Sequence, residues 1–184
     1  KVADVPIIGG GSLLLSNEAT PNLMELTIVN KNNSNTGIVS ASEGAKLLFA
    51  DGANWAGTVV AGNVALTNLT DDASAASVDF AKLDLASDFP VRVWRNEDGS
   101  FVSDTLNVGE YLDSGAKGGR IVPVAMFEGG FLPRDKFVLG RILKGADLPS
   151  LGRGWTAATE EIEGDEDHLA VVLKRKSGLA VTVR

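Results

Sequence analysis

The segment GTVVAGNVALTNL, residues 57–69, is a short apolar run of the kind that forms β-strands. Valine, threonine and alternating apolar residues favour an extended backbone, while glycine and asparagine at the borders favour turns. Four other runs in the first half of the chain share these features: residues 12–17, 23–30, 45–52 and 77–85. The pattern therefore predicts about five or six short strands in this half. Only residues 71–83, DDASAASVDFAKL, have helical spacing, so we expect at most one short helix.

The strand-like runs recur at loose intervals. LTIVN and KLLFA lie about 20 residues apart, NVALTNL and AKLDLAS follow at slightly shorter intervals, and AKLLFAD at Ala45 is echoed by AKLDLASD at Ala81. Asn17, Asn30 and Asn68 stand at strand ends, where asparagine tolerates left-handed turns and can stack in ladders. These features favour an all-β fold built as a short right-handed parallel β-helix, or β-solenoid. A β-sandwich is the alternative, since its strands also recur at short intervals.

The sequence pattern changes at Phe89. VRVW, residues 91–94, alternates between apolar and other residues, and NEDGS, residues 96–100, contains turn-forming residues. FVSDTLNV, residues 101–108, has the pattern of a returning strand, so the three segments predict a hairpin. GRIVPVAMFEGG, DKFVLGRIL, HLAVVLKR and GLAVTVR predict further strands, and most aromatic residues lie in this half. We therefore expect two regions: a β-solenoid segment over residues 1–88 and a β-rich C-terminal cap module over residues 89–184.

Bulk composition excludes several classes of function. The formal net charge of −7 argues against nucleic-acid binding, which needs clustered lysine and arginine. Cysteine is absent, so disulfides and thiolate metal sites are excluded. No apolar run approaches the roughly 20 residues needed to cross a bilayer. Because the chain begins at Lys1, we expect an excerpt of a longer precursor.

A resemblance to a known family covers most of the chain in general pattern, and its specific part is confined to residues 131–173. Residues 134–139, RDKFVL, are followed by LPSL at 148–151 and by Gly154 and Trp155. This order resembles the closing segment of bacterial autotransporter-type passenger proteins and their autotransporter-associated β-strand-repeat relatives. The resemblance implies a β-helical protein that is secreted or displayed on the surface of a Gram-negative-type bacterium.

The acidic segment EEIEGDEDHLAVVLKRK, residues 160–176, has two interpretations. Asp165 and Asp167, with Glu160 or Glu163, offer oxygen ligands for calcium, but the EF-hand pattern and calcium-binding repeats are both missing. We favour a solvated turn that joins GWTAATEEIE to HLAVVLKRK. We expect such a hairpin to bring its acids near three basic residues of the other arm: Lys174, Arg175 and Lys176.

Other motifs do not indicate catalysis by a nucleophile or a nucleotide. His168 is the only histidine, and no Gly-x-Ser-x-Gly sequence supplies a serine for a triad. The glycine-rich segments at residues 9–12 and 115–120 lack the strand and helix context of phosphate-binding loops, so we expect flexible turns.

The strongest enzyme hypothesis is a carbohydrate-active one. Asp79 and Asp84, with Asp71 or Asp72 nearby, could serve as paired carboxylates for glycoside cleavage. Acidic side chains along such a face are more commonly solubilising. We therefore expect no catalytic, cofactor-binding or metal-binding residues, and predict a non-enzymatic secreted or cell-surface structural or adhesion segment. Surface glycans or other surface proteins are its expected partners, and a carbohydrate-active β-helix or glycan-binding module is the alternative.

Overall fold

A computed structural model describes residues 2–3, 5–16, 24–71, 73–115 and 118–177. The fold is all-β, with 52% of the described residues in strands and no helix among them. The described part therefore has no helix that is long and apolar enough to span a bilayer. The strands are β1 (Val2–Ala3), β2 (Leu13–Leu15), β3 (Met24–Ile28), β4 (Ile38–Ala41), β5 (Ala45–Ala50), β6 (Asn54–Val60), β7 (Val64–Thr67), β8 (Ser77–Asp84), β9 (Phe89–Arg95), β10 (Phe101–Ser103), β11 (Thr105–Leu112), β12 (Ile121–Ala125), β13 (Lys136–Leu143), β14 (Trp155–Glu161) and β15 (His168–Arg175).

These strands form three sheets. One has the order β1-β3-β5-β7, a second has the order β10-β9-β12, and the largest has the order β14-β15-β13-β11-β8-β6-β4-β2. From β1 to β8 the chain passes alternately between the four-stranded and the eight-stranded sheet. Within β1 to β8, strands that are consecutive in sequence are thus not neighbours in one sheet, and each strand from β1 to β6 pairs with the next strand but one.

Pairing within these sheets is mostly parallel and in register. In the four-stranded sheet Met24 is opposite Ala45 and Leu47 is opposite Val64, so intervals close to the predicted period do mark paired strands. The echo between Ala45 and Ala81 is not of this kind, because β5 and β8 belong to different sheets. The two segments share a local strand pattern only.

The core lies between the four-stranded and the eight-stranded sheet. Phe49 of β5 contacts Phe80 of β8 edge to face, with ring centroids 4.8 Å apart, and Trp55 of β6 lies 6.5 Å from Phe49. The Trp55 indole donates a hydrogen bond of 3.1 Å to the carbonyl oxygen of Gly37, so its one polar atom is satisfied inside the core. The same buried cluster continues to Leu106 and beyond, past residue 88.

Both predicted hairpins are confirmed. β9 and β10 pair antiparallel around the NEDGS turn, and β14 and β15 pair antiparallel around the acidic turn. β15 also pairs antiparallel with β13, so the parallel part of the eight-stranded sheet ends there. Phe131, Phe137 and Trp155 pack beside this hairpin, and Trp155 lies 4.8 Å from the Phe131 ring and 5.5 Å from the Phe137 ring.

Several strand boundaries differ from expectation. Residues 57–69 form parts of two strands, because a turn at Gly62 and Asn63, both with positive φ, sends the chain from one sheet to the other. FVSDTLNV also divides, at Asp104, into β10 and β11 of different sheets. The candidate helix over residues 71–83 overlaps strand β8 instead. Sequence patterns did not predict β4, and the expected strand at 178–184 lies outside the described residues.

The asparagine ladder is formed by residues other than those predicted. Asn33 donates its backbone N–H to Oδ1 of Asn54, and Asn54 Nδ2 donates to the carbonyl oxygen of Asn33. Oδ1 of Asn30 and Oδ1 of Asn68 accept hydrogen bonds within their own turns, and Asn17 lies outside the described residues. Hydrogen bonds between asparagines are therefore present, and they join the loop before β4 to the start of β6.

Candidate functional site

A row of polar residues crosses the outward face of the eight-stranded sheet. Asn54 of β6 is opposite Asp79 of β8, and Asp79 is opposite Asn107 of β11. Val108 of β11 is opposite Ile142 of β13, which places Arg141 one position earlier, in line with Asn107. Because parallel register keeps equivalent side chains on one face, residues far apart in sequence form a continuous polar line.

Ionic contacts connect the far end of this row to the acidic turn. Arg141 Nη2 lies 3.6 Å from Oδ1 of Asp79, and Nη1 lies 3.8 Å from Oδ2 of Asp165. Nδ1 of His168 lies 3.0 Å from both carboxylate oxygens of Asp165. A single guanidinium thus bridges two carboxylates, one of which also holds the imidazole.

The turn between β14 and β15 fixes the position of His168. Oδ1 of Asp165 accepts hydrogen bonds from the backbone N–H groups of Asp167 and His168, at 3.1 and 3.0 Å. The side-chain hydrogen bond with His168, helped by these backbone donors, holds the pKa of the Asp165 carboxyl below its ordinary value of 3.8. Asp165 is therefore an ionised anchor that orients the imidazole.

These side chains border a shallow groove of about 280 Å³. Asp79, Asn107, Arg141 and His168 supply its polar wall, whereas Ala56, Ala81, Val108 and Leu143 supply apolar surface. Gly109 also borders the groove, and a Cβ atom there would lie 2.6 Å from the carbonyl oxygen of Ala81. The close strand approach therefore requires glycine at this position and keeps the groove open.

The groove contains hydrogen-bond donors and acceptors but no hydroxyl nucleophile. None of its lining residues is serine or threonine, so the His168 and Asp165 pair has no hydroxyl to activate there. Among the described residues no group of three or more histidines and acids could hold a metal ion. The arrangement can bind a polar ligand through hydrogen bonds.

The carboxylates considered for glycoside cleavage are not brought together. Asp79 and Asp84 are separated by roughly 16 Å along strand β8, well beyond the carboxylate spacing of glycosidases. Asp84 is buried and accepts hydrogen bonds from the backbone and hydroxyl of Ser114. Asp71 accepts bonds from Ala73 and Ser74 in its own loop, and Asp72 lies outside the described residues. Of the described carboxylates of this set, only Asp79 lines the groove.

The expected charge pairing across the acidic hairpin is wrong. Glu160 is opposite Ala170 and Lys174 is opposite Thr156, so the acids lie at the turn and the basic residues lie at the open end. Antiparallel pairing requires this, because residues near a turn meet only residues that are equally near it. Glu161 instead lies 3.5 Å from the ammonium of Lys144, on the turn that follows β13.

No described residue of the two glycine-rich segments lines the groove. The segment at residues 9–12 leads into β2, and the segment at residues 115–120 leads into β12. Residues 116 and 117 of the second segment lie outside the described residues. Each precedes a strand, whereas a phosphate-binding loop precedes a helix.

Sequence patterns did not single out Asn107 or Arg141. Each is one polar residue in an ordinary alternating strand, and only the register between β8, β11 and β13 reveals their alignment.

No protein-family model, curated protein or solved structure matches the chain.

Proposed function

We propose that the chain forms a short right-handed parallel β-helix and serves as a non-enzymatic structural or adhesion segment of a secreted or cell-surface protein. The observation that carries this proposal is the in-register parallel pairing of β2, β4, β6, β8 and β11, with the chain crossing to another sheet between them. Sandwich folds are dominated by antiparallel pairs, so this pairing favours the β-helix.

The outward face of the large sheet supports a contact role. A β-helix presents a long, shallow surface on which ligands can be held without being enclosed. The polar row from Asp79 to Arg141 lies on such a surface and ends in an open groove. Adhesion needs a surface of this kind, whereas an enzyme needs convergent groups in a cleft that excludes water.

The cap remains part of the proposal. A β-helix end exposes unpaired backbone groups and apolar core, and the antiparallel strands β15 and β14 cover the end beyond β13. The division between residues 1–88 and residues 89–184 stays a prediction. The large sheet pairs β8 with β11 across that boundary, so a cap would be continuous with the segment it closes.

The resemblance to autotransporter-type passengers also stays a proposal. Phe137 of the RDKFVL segment and Trp155 are both buried, with their ring centroids 5.5 Å apart. Residues of the shared pattern thus stabilise the terminal hairpin together, which supports a closing role for that pattern. A gene that encodes a signal peptide and an anchor with this chain would support the resemblance, and a gene that encodes neither would count against it.

Surface display has a direct test. Intact cells that carry the gene are treated with a protease, and the chain is then followed with an antibody against residues 118–177. We expect the antibody signal to fall without lysis, while a cytoplasmic marker is preserved. Protection of the chain until the cells are lysed would contradict a surface location, and the culture supernatant must then contain the protein for the secreted form of the proposal to stand.

The second candidate is a carbohydrate-active β-helix, favoured by one observation. His168, oriented by Asp165, borders the same groove as Asp79 and Arg141, so a base and an ionised partner lie within one site. This function would require release of product from a polysaccharide.

A further inference from the structure

Three polar side chains of the groove are left without hydrogen bonds by the protein itself. Within the described residues, the carboxylate of Asp79, the amide of Asn107 and the guanidinium of Arg141 make none, and Arg141 is held only by ionic contacts of 3.6 and 3.8 Å. At these distances the guanidinium donors are not engaged in hydrogen bonds. The groups are positioned by strand register and charge, yet they remain available to a ligand.

Arg120 shows what an engaged surface arginine looks like in the same molecule. Its Nε and Nη2 donate to the two carboxylate oxygens of Asp88 at 3.2 and 3.3 Å. Its side chain is 49% exposed, close to the 45% of Arg141. Exposure alone therefore does not prevent a paired fork, and Arg141 differs because it is divided between two carboxylates.

We propose that this groove binds one uncharged sugar ring of a glycan, which rests on the adhesion function proposed above and names its ligand class. A carboxylate accepts hydrogen bonds, an amide both donates and accepts them, and a guanidinium donates them. Hydroxyl groups on adjacent carbons can satisfy all three kinds of partner. The apolar surface of Ala56, Ala81 and Leu143 lies beside them and suits the C–H face of a ring.

The size of the groove sets how much of a glycan it holds. Its volume of about 280 Å³ lies just below the roughly 300–1,000 Å³ that is usual for small-ligand sites. One ring therefore occupies the groove, and the neighbouring rings of the chain lie across the exposed sheet.

Charge and strand pairing argue against two other ligand classes. Asp79 and Asp165 flank one guanidinium in a chain of net charge −7, which disfavours a polyanion. The strands that border the groove, β6, β8, β11, β13 and β15, are each paired on both sides, so an extended peptide cannot add to the sheet there. An uncharged polyhydroxyl ligand meets neither obstacle.

The test is an NMR titration of the full chain, labelled with ¹⁵N, with the hexamers of chitin, cellulose, starch and mannan. Polygalacturonate serves as the anionic probe. We expect at least one neutral hexamer to shift the side-chain signals of Asn107 and Arg141, and polygalacturonate to shift neither. R141Q and, separately, N107A should each weaken that binding about tenfold, whereas the matched variant R120Q should leave it unchanged. Far-ultraviolet circular dichroism confirms that each variant is folded.

The outcomes separate the site from the function. If a hexamer binds but R141Q and N107A bind it as well as the wild type does, the site is wrong and the adhesion function stands. Preference for polygalacturonate, or binding of an extended peptide at the same residues, overturns the ligand class. Absence of binding by every neutral hexamer at its highest soluble concentration overturns the proposed site, while the protease experiment still decides surface display. Release of shorter sugars overturns the non-enzymatic function.

Discussion

The guanidinium of Arg92 donates two parallel hydrogen bonds to the buried carboxylate of Asp104, from Nε to Oδ2 at 2.9 Å and from Nη2 to Oδ1 at 3.0 Å. Asp104 also accepts the backbone N–H groups of Arg92 and Ala76, at 3.0 and 2.9 Å. One carboxylate therefore connects β9, the loop before β8 and the junction between β10 and β11. Asp104 lies between β10 and β11, where the chain passes from the three-stranded sheet to the eight-stranded sheet.

Replacing Asp104 by asparagine should destabilise the protein strongly. The change keeps the shape of the side chain but removes the carboxylate charge that faces the partly buried guanidinium of Arg92, and breaking a buried ion pair in this way typically costs about 3–5 kcal/mol of unfolding free energy. Urea denaturation of D104N against the wild type measures the loss. D88N is the control, because the Asp88 and Arg120 pair is about half exposed and should contribute no more than about 1 kcal/mol. Equal effects of the two changes would contradict this account of Asp104.

A column of glycines sets the close approach of β6 to the loop before β4. A Cβ atom on Gly57 would lie 2.0 Å from the carbonyl oxygen of Gly37, which is backbone and cannot move aside alone. G57A should therefore cost about 3 kcal/mol or more in unfolding free energy. G11A is the matched control, since nothing lies within 4 Å of a Cβ atom there. A thermal melt of G57A that matches the melt of G11A would show that the strands are not so closely packed.

Replacement of Tyr111 by phenylalanine is expected not to destabilise the protein. Its hydroxyl is buried with no hydrogen-bond partner among the described residues, and burial raises the pKa of the phenol. Replacement by phenylalanine removes an unpaired polar atom and keeps the ring, so Y111F should be neutral or more stable by about 1–2 kcal/mol. Y111L, which also removes the ring, serves as the control and should destabilise. A clear loss of stability in Y111F would mean that the hydroxyl is bonded after all.

The contribution of the Asp165 carboxyl to stability should depend on pH in the acid range. Its pKa is lowered in the folded protein, chiefly by the hydrogen bond with His168, so its contribution to stability is present above the unfolded pKa and is lost as the pH falls through the folded pKa. The difference in melting temperature between wild type and D165N should therefore narrow as the pH is lowered from 5 to below 3.8. In an H168Q background the narrowing should be smaller, because the main cause of the shift is gone. A difference that stays constant over this range would contradict the assignment.

The sequence predicted the all-β class and both hairpins because these depend on local signals. Glycine and aspartate mark the NEDGS turn, and apolar alternation marks its arms. Arg141 and Asn107 were missed because their alignment depends on register between strands at unequal separations, as in the pairs Asp79 with Asn107 and Val108 with Ile142. Asp104 was missed for a related reason. Its partner Arg92 lies in another strand, and a single aspartate inside an alternating run carries no local sign that it ends one strand and begins the next.

The central claim is that the outward face of the eight-stranded sheet binds a glycan without cleaving it. The most direct test measures retention and breakdown of a polysaccharide in the same incubation. The full chain, fixed to beads, is incubated with soluble starch, xylan, dextran and glucomannan, and both the sugar retained on the beads and the reducing ends released are followed over time. We expect at least one neutral polysaccharide to be retained, with less retained by R141Q and an unchanged amount by R120Q, and no increase in reducing ends. A steady rise in reducing ends that is abolished by R141Q or H168Q would contradict the claim and identify the groove as an active site.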